Sequence, residues 1–155
     1  AIGQNEAERT FHWQGRIGRG RDDDGGQHEV KHRDLCLQTA VAQQRLQQVP
    51  MTALAISAVT LGEIQYGLAK CGHPPGLTKL IREFLLRVEV LPWDSHTATC
   101  YGDLRARCQA GGITLGALDL MIAAHAVAAD CTLISNDRAF ARIPGGLLLD
   151  NWIAS

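Results

Sequence analysis

The chain has 155 residues, 46% of them hydrophobic and 20% charged, with a formal net charge of -1. That length and apolar content suit one ordinary domain with a continuous core. The near-zero charge excludes a whole-molecule basic field of the kind that drives non-specific nucleic-acid binding, so a nucleic-acid role would need a local patch or a metal.

No apolar run approaches the roughly 20 residues needed to span a bilayer, and the first residues lack the basic-then-apolar order of a secretory signal. The expectation is a cytoplasmic protein without a membrane anchor. Cys36, Cys71, Cys100, Cys108 and Cys131 are odd in number and contain no CxxC pair. They read as buried or free thiols rather than a disulfide framework or zinc knuckle.

Residues 1–34 carry clustered glycines and charges, as in GRIGRGRDDDGGQ, with no helix or strand period, and read as flexible or poorly packed. Within them HEVKH (28–32) has the form H-E-x-x-H, which on a helix would set His28 and His32 on one zinc-binding face with Glu29 as base. The next residues, RDLCLQ, supply no third ligand and glycines crowd the upstream side, so both histidines read as solvated.

A regular pattern begins at Thr39. TAVAQQRLQQV (39–49) has helical spacing and stops at Pro50, and LAISAV (54–59) is a β-branched apolar strand candidate. TLGEIQYGLAK (60–70) reads as a helix ended by Cys71, Gly72 and the Pro74-Pro75 pair, and LTKLIREFLLRV (77–88) as a second, amphipathic one. VEVLPW (88–93) is a strand candidate, after which Asp94 and Ser95 offer N-caps to a helix running through Gln109 to Gly111-Gly112. LDLMIAAHAVAA (118–129) is apolar nearly all round and should be a buried helix, followed by the strands CTLIS (131–135) and GLLLDNW (146–152). Strands alternating with helices predict an α/β fold with a parallel sheet covered on both faces. There is no internal repeat.

In such a sheet, chemistry collects beyond the carboxyl ends of the strands. Glu63 follows LAISAV, Asp119 opens the buried helix, and Asp137 follows CTLIS in the run ISND. Each has a structural explanation when taken alone. Thr60 and Glu63 have capping-box spacing, Asp119 suits a helix dipole, and Asp137 suits an Asx turn. Taken together, three carboxylates at one sheet edge would repel unless a hard cation neutralised them. Mg²⁺ fits, because it takes few carboxylates and completes its shell with water and substrate phosphate. The chemistry would be metal-assisted attack of water on a phosphodiester.

SAVTLGEIQYG, LGALDLMIAAHA, TLISND and the ending RIPGGLLLDNW, with LPWD (91–94) between them, resemble the successive motifs of PIN-domain ribonucleases, in particular VapC/FitB-type toxins of toxin-antitoxin pairs. The resemblance runs from about Leu46 to the end and implies a three-layer α/β/α PIN-like domain with a parallel central sheet over 39–155, preceded by an atypical segment over 1–38. It implies an acidic site holding Mg²⁺ or Mn²⁺, RNA (often tRNA) as substrate, a cognate antitoxin lying across the toxin, and a homodimer. Glu63, Asp119 and Asp137 match the family's acids, and Asn136 would position metal or substrate. Arg138 and Arg142 are candidates for phosphate contact, although arginines there are more often simply solvated. His125 reads as a packed core residue, too far along its helix from Asp119 to share a metal.

The family's first acid lies in a motif like LDTNIC near the N-terminus, and this chain has no such motif. Where it should fall stands GGQHEVKHRDLCLQ, without the apolar run of a central strand. Asp22, Asp23, Asp24 and Asp34 are the nearest acids, and none has the right context. A changed reading frame upstream of residue 40 is one hypothesis, which sequencing of the encoding DNA would refute if no frame held an apolar strand. Two functions follow: a Mg²⁺-dependent endoribonuclease toxin, and a catalytically degenerate relative that binds an antitoxin without cleaving RNA. A DNA-directed nuclease is a third.

Overall fold

Ser57 closes a run of buried residues and opens a helix, and this strand-to-helix step recurs along the chain. The computed structural model describes the backbone of residues 10–12 and, with side chains, residues 48–50 and 53–152. Its elements are β1 (Thr10–His12), β2 (Leu54–Ser57), α1 (Ala58–Lys70), α2 (Pro75–Leu85), β3 (Glu89–Leu91), α3 (Ser95–Ala110), α4 (Ala117–Ala128), β4 (Thr132–Ile134), a 3₁₀ turn (Phe140–Arg142) and β5 (Leu148–Asp150). All sheet pairings are parallel, in the order β3-β2-β1-β4-β5. Parallel neighbours need long crossovers: α1 and α2 supply that from β2 to β3, and the stretch with the 3₁₀ turn that from β4 to β5.

Alternation along the strands divides the core into two layers. Leu54, Ile56 and Ile134 join Val88 and Trp152 on one face, with Leu61, Ile64, Phe84 and Leu85 of α1 and α2 packed against them. Ala55, Leu91 and Leu133 point the other way, into Leu104 and Cys108 of α3 and Leu120 to Ala126 of α4. The result is the expected three-layer α/β/α arrangement. α4 is buried through its middle, as its all-round apolar sequence requires. Cys108 and Cys131 are buried thiols, and Cys71 and Cys100 are half-buried ones.

Three elements depart from the sequence expectation. The central strand is Thr10–His12, inside the segment that shows no strand period; three residues are too few to display alternation, and pairing on both sides compensates for weak local preference. The strand at LAISAV stops at Ser57, because Ser57 caps α1 and the helix takes Ala58 and Val59. α2 starts at Pro75, where a proline at the first helical position costs no hydrogen bond. The helix expected over 39–49 and the HEVKH run lie outside the described residues, apart from Gln48 and Val49 at the former's end.

Candidate functional site

The N-cap of α1 is Ser57, whose Oγ accepts the Val59 amide at 3.0 Å. Thr60 therefore lies inside the first turn, and the Thr60/Glu63 spacing is not a capping box. Glu63 is half-buried in the second turn, with no capping duty. Thr60 Oγ1 is buried with no hydrogen-bond partner among the described residues, which ordinarily calls for water or a ligand atom nearby.

Asp119 sits in the first turn of α4, only 6% exposed. α4 has no side-chain cap, so the partial positive charge of its open amides favours the carboxylate there. The short link from α4 into β4 sends the helix back along the sheet, which leaves its first turn toward the carboxyl edge. Asp137 lies just past β4, half-buried, and its Oδ1 accepts the Ala139 amide at 2.8 Å. The Asx turn expected of a lone Asp is thus present, and it engages one carboxylate oxygen. Asn136 and Arg138 flank it, both exposed, and Arg142 is exposed on the 3₁₀ turn.

A buried polar pair that the sequence did not reveal joins the residue before α1 to α4. Ser57 Oγ and His125 Nδ1 are 2.7 Å apart, at 0% and 2% exposure. The ring also packs T-shaped with Trp93, with centroids 5.7 Å apart and planes at 83°. Burial lowers the His125 pKa from its ordinary value, against opposing contributions from the Asp94 carboxylate and a backbone hydrogen bond to Pro92. The imidazole is accordingly neutral at pH 7. A ring N–H given to the Pro92 carbonyl, with the other ring nitrogen on the Ser57 hydroxyl, would use both nitrogens of the neutral imidazole. Ser57 was hidden because strand and cap overlap there; a Ser directly before a helix run is the signal that could have marked it. His125 is packed in the core, as expected, but as a hydrogen-bonded member rather than an inert one.

Among the described residues, no three His, Cys, Asp or Glu side chains close into a metal-binding group. Glu63, Asp119 and Asp137 carry hard carboxylate oxygens of the kind Mg²⁺ and Mn²⁺ prefer, Asp119 buried in the first turn of its helix. Mg²⁺ needs only one or two carboxylates with waters between, so a closed cage is not required.

The chain matches the PIN domain family over residues 37–146. It is 37% identical over 100 residues to ribonuclease VapC2 of Rickettsia felis, covering 64% of this chain and 74% of that protein. The same identity over 100 residues, covering 64% and 75%, holds for the tRNA(fMet)-specific endonuclease VapC of Shigella flexneri. In three dimensions it is similar to VapBC2 of Rickettsia felis, solved bound to a promoter DNA fragment, with a TM-score of 0.68, 34% identity, and coverage of 74% of this chain and 86% of that one. The chain belongs to the PIN-domain family, among the VapC ribonuclease toxins of toxin-antitoxin systems.

Proposed function

We propose that this chain is a metal-dependent endoribonuclease toxin, in which Glu63, Asp119 and Asp137 hold Mg²⁺ or Mn²⁺ and Asn136 and Arg138 contact the RNA. The observation that carries the reading is Asp119: a carboxylate buried in the first turn of a helix that lacks a side-chain cap, in a chain of VapC kinship. Release of Glu63 from capping adds support. The ion, when bound, makes a water acidic enough to attack near neutral pH and neutralises charge developing on the phosphate. The protein's own part is to hold carboxylates as acceptors for that ion and its waters, and to keep Arg138 exposed where a phosphate oxygen can reach it.

By kinship with the Shigella relative, tRNA is the first RNA to test. A cognate antitoxin as partner draws support from the VapBC2 neighbour, and a homodimer from apolar side chains left exposed on and just after α1 and α2, notably Tyr66 and Leu86 at 59% and 81%. A cytoplasmic site of action is consistent with the described helices, none of which is long and apolar enough to cross a membrane. The PIN-like unit would comprise 39–155, with its central strand lent by the atypical segment over 1–38.

One observation favours the degenerate reading, in which the chain binds an antitoxin without cleaving RNA: the central strand reads Thr-Phe-His and brings no carboxylate to the site. Competition separates the possibilities. An RNase cleaves labelled RNA with Mn²⁺, stops on chelation, and is outcompeted by RNA but not by single-stranded DNA. Antitoxin capture with or without metal, and no cleavage of either nucleic acid, would overturn the enzyme reading.

A further inference from the structure

α1 carries Glu63 and α4 carries Asp119, and the two helices pack against each other. Ser57 and His125, 68 residues apart in the chain, meet where these helices do. We propose that Ser57 and His125 are positioning residues of the acidic site, their buried hydrogen bond fixing the start of α1 against α4. The inference rests on the metal-site reading above and goes beyond it, because neither residue need touch metal or RNA.

The geometry leaves the pair little freedom. Ser57 Oγ accepts the Val59 amide at 3.0 Å and keeps its own proton free to donate, with His125 Nδ1 at 2.7 Å as its partner. The ring also meets the Pro92 backbone and packs T-shaped with Trp93, both just past β3. Three segments, the β2–α1 junction, the end of β3 and α4, are thereby joined through one imidazole. In a water-poor interior such a bond is directional, and losing either partner leaves the other unsatisfied. A shift of α1 against α4 would move Glu63 relative to Asp119, and a small cation tolerates little of this because it demands near-ideal geometry. Supporting groups of this kind change metal affinity by about 10- to 100-fold when removed.

The test is Mn²⁺ titration of the full chain without RNA, beside thermal unfolding. His125→Leu, of similar bulk, leaves the Ser57 cap intact and should weaken Mn²⁺ binding by about tenfold or more while the chain still folds. His125→Asn, which sets an amide oxygen near the position of Nδ1, should restore much of the loss. A folded His125→Leu chain with parental Mn²⁺ affinity would overturn the proposal, as would failure of the Asn variant to recover any affinity. If His125→Leu does not fold, Ser57→Gly takes its place, since Gly caps nearly as well as Ser. If the parent binds no Mn²⁺, the metal-site reading fails on its own. The latch is then judged by amide exchange in His125→Leu, expected to speed up together in the first turn of α1 and in α4; unchanged exchange there would dismiss it.

Discussion

A buried neutral imidazole makes stability depend on pH, and the sign follows from the direction of its pKa. His125 in the folded chain titrates below the ordinary 6.5 because burial opposes its charge. Between that lowered pKa and 6.5 the unfolded chain binds more protons, so stability rises with pH across this window. The contribution is complete above about 6.5 and is lost as pH falls toward the folded-state value. Chemical denaturation should find the chain more stable at pH 7.5 than at pH 5.5, and His125→Asn should flatten that difference. Asp94 has the same sign in a lower window. Its carboxylate, bonded at 2.8 Å to both the amide and the hydroxyl of Thr97, titrates below 3.8, so its contribution disappears only in more acidic solution. At this scale the sequence was legible for Asp94 as a cap and for Asp137 as an Asx residue, because both are local. The Ser57–His125 bond was not, since nothing within a few residues of either side chain specifies a partner 68 positions away.

The ends of the helices show a second local rule and one exception to it. α1, α3 and α4 each close with a pair of backbone bonds around a residue of positive φ, as at His73→Leu68, Ile113→Cys108 and Cys131→Ala126. Gly72 and Gly112 fill that position in α1 and α3, at φ of 70° and 66°, whereas α4 uses Asp130 at φ 51°. A Cβ is disfavoured in this region, and glycine is the usual occupant. Asp130→Gly should therefore stabilise the chain by up to about 1 kcal/mol, read as a raised denaturation midpoint with an unchanged slope. A lowered midpoint would show that the Asp130 side chain contributes more than its strain costs. Helix ends were readable from Gly72 and Gly111-Gly112 for this reason. Helix starts were less so: Ser57 belongs to a strand until its cap bond is seen, and the Thr60/Glu63 spacing mimics a box one turn too late.

At the scale of the whole molecule, the sheet is a shared floor for two cores, and neither side can be loosened independently. Leu104, fully buried between α3 and the sheet, should cost about 2 to 5 kcal/mol on replacement by alanine. That loss should also weaken metal binding, because Asp119 rides on the neighbouring α4; a destabilised variant with unaltered binding would argue that the site is independent of this layer. The α/β class and layer order followed from alternating strands and helices. The central strand did not, because Thr10–His12 is too short to announce itself and is held by pairing with β2 and β4 rather than by its own sequence. The lack of an LDTN-like motif was legible in the sequence, whereas the place of Thr10–His12 in the middle of the sheet, with no carboxylate among its three residues, was not.

The measurement that bears most directly on this is incubation of a mixed tRNA pool with the purified chain and Mg²⁺ or Mn²⁺, alongside Asp119→Asn. The account predicts metal-dependent cleavage that the substitution reduces by about 100-fold or more, as expected when a group acting in the transition state is lost. Absence of cleavage by a folded, metal-supplied chain, or cleavage that survives Asp119→Asn, would contradict it.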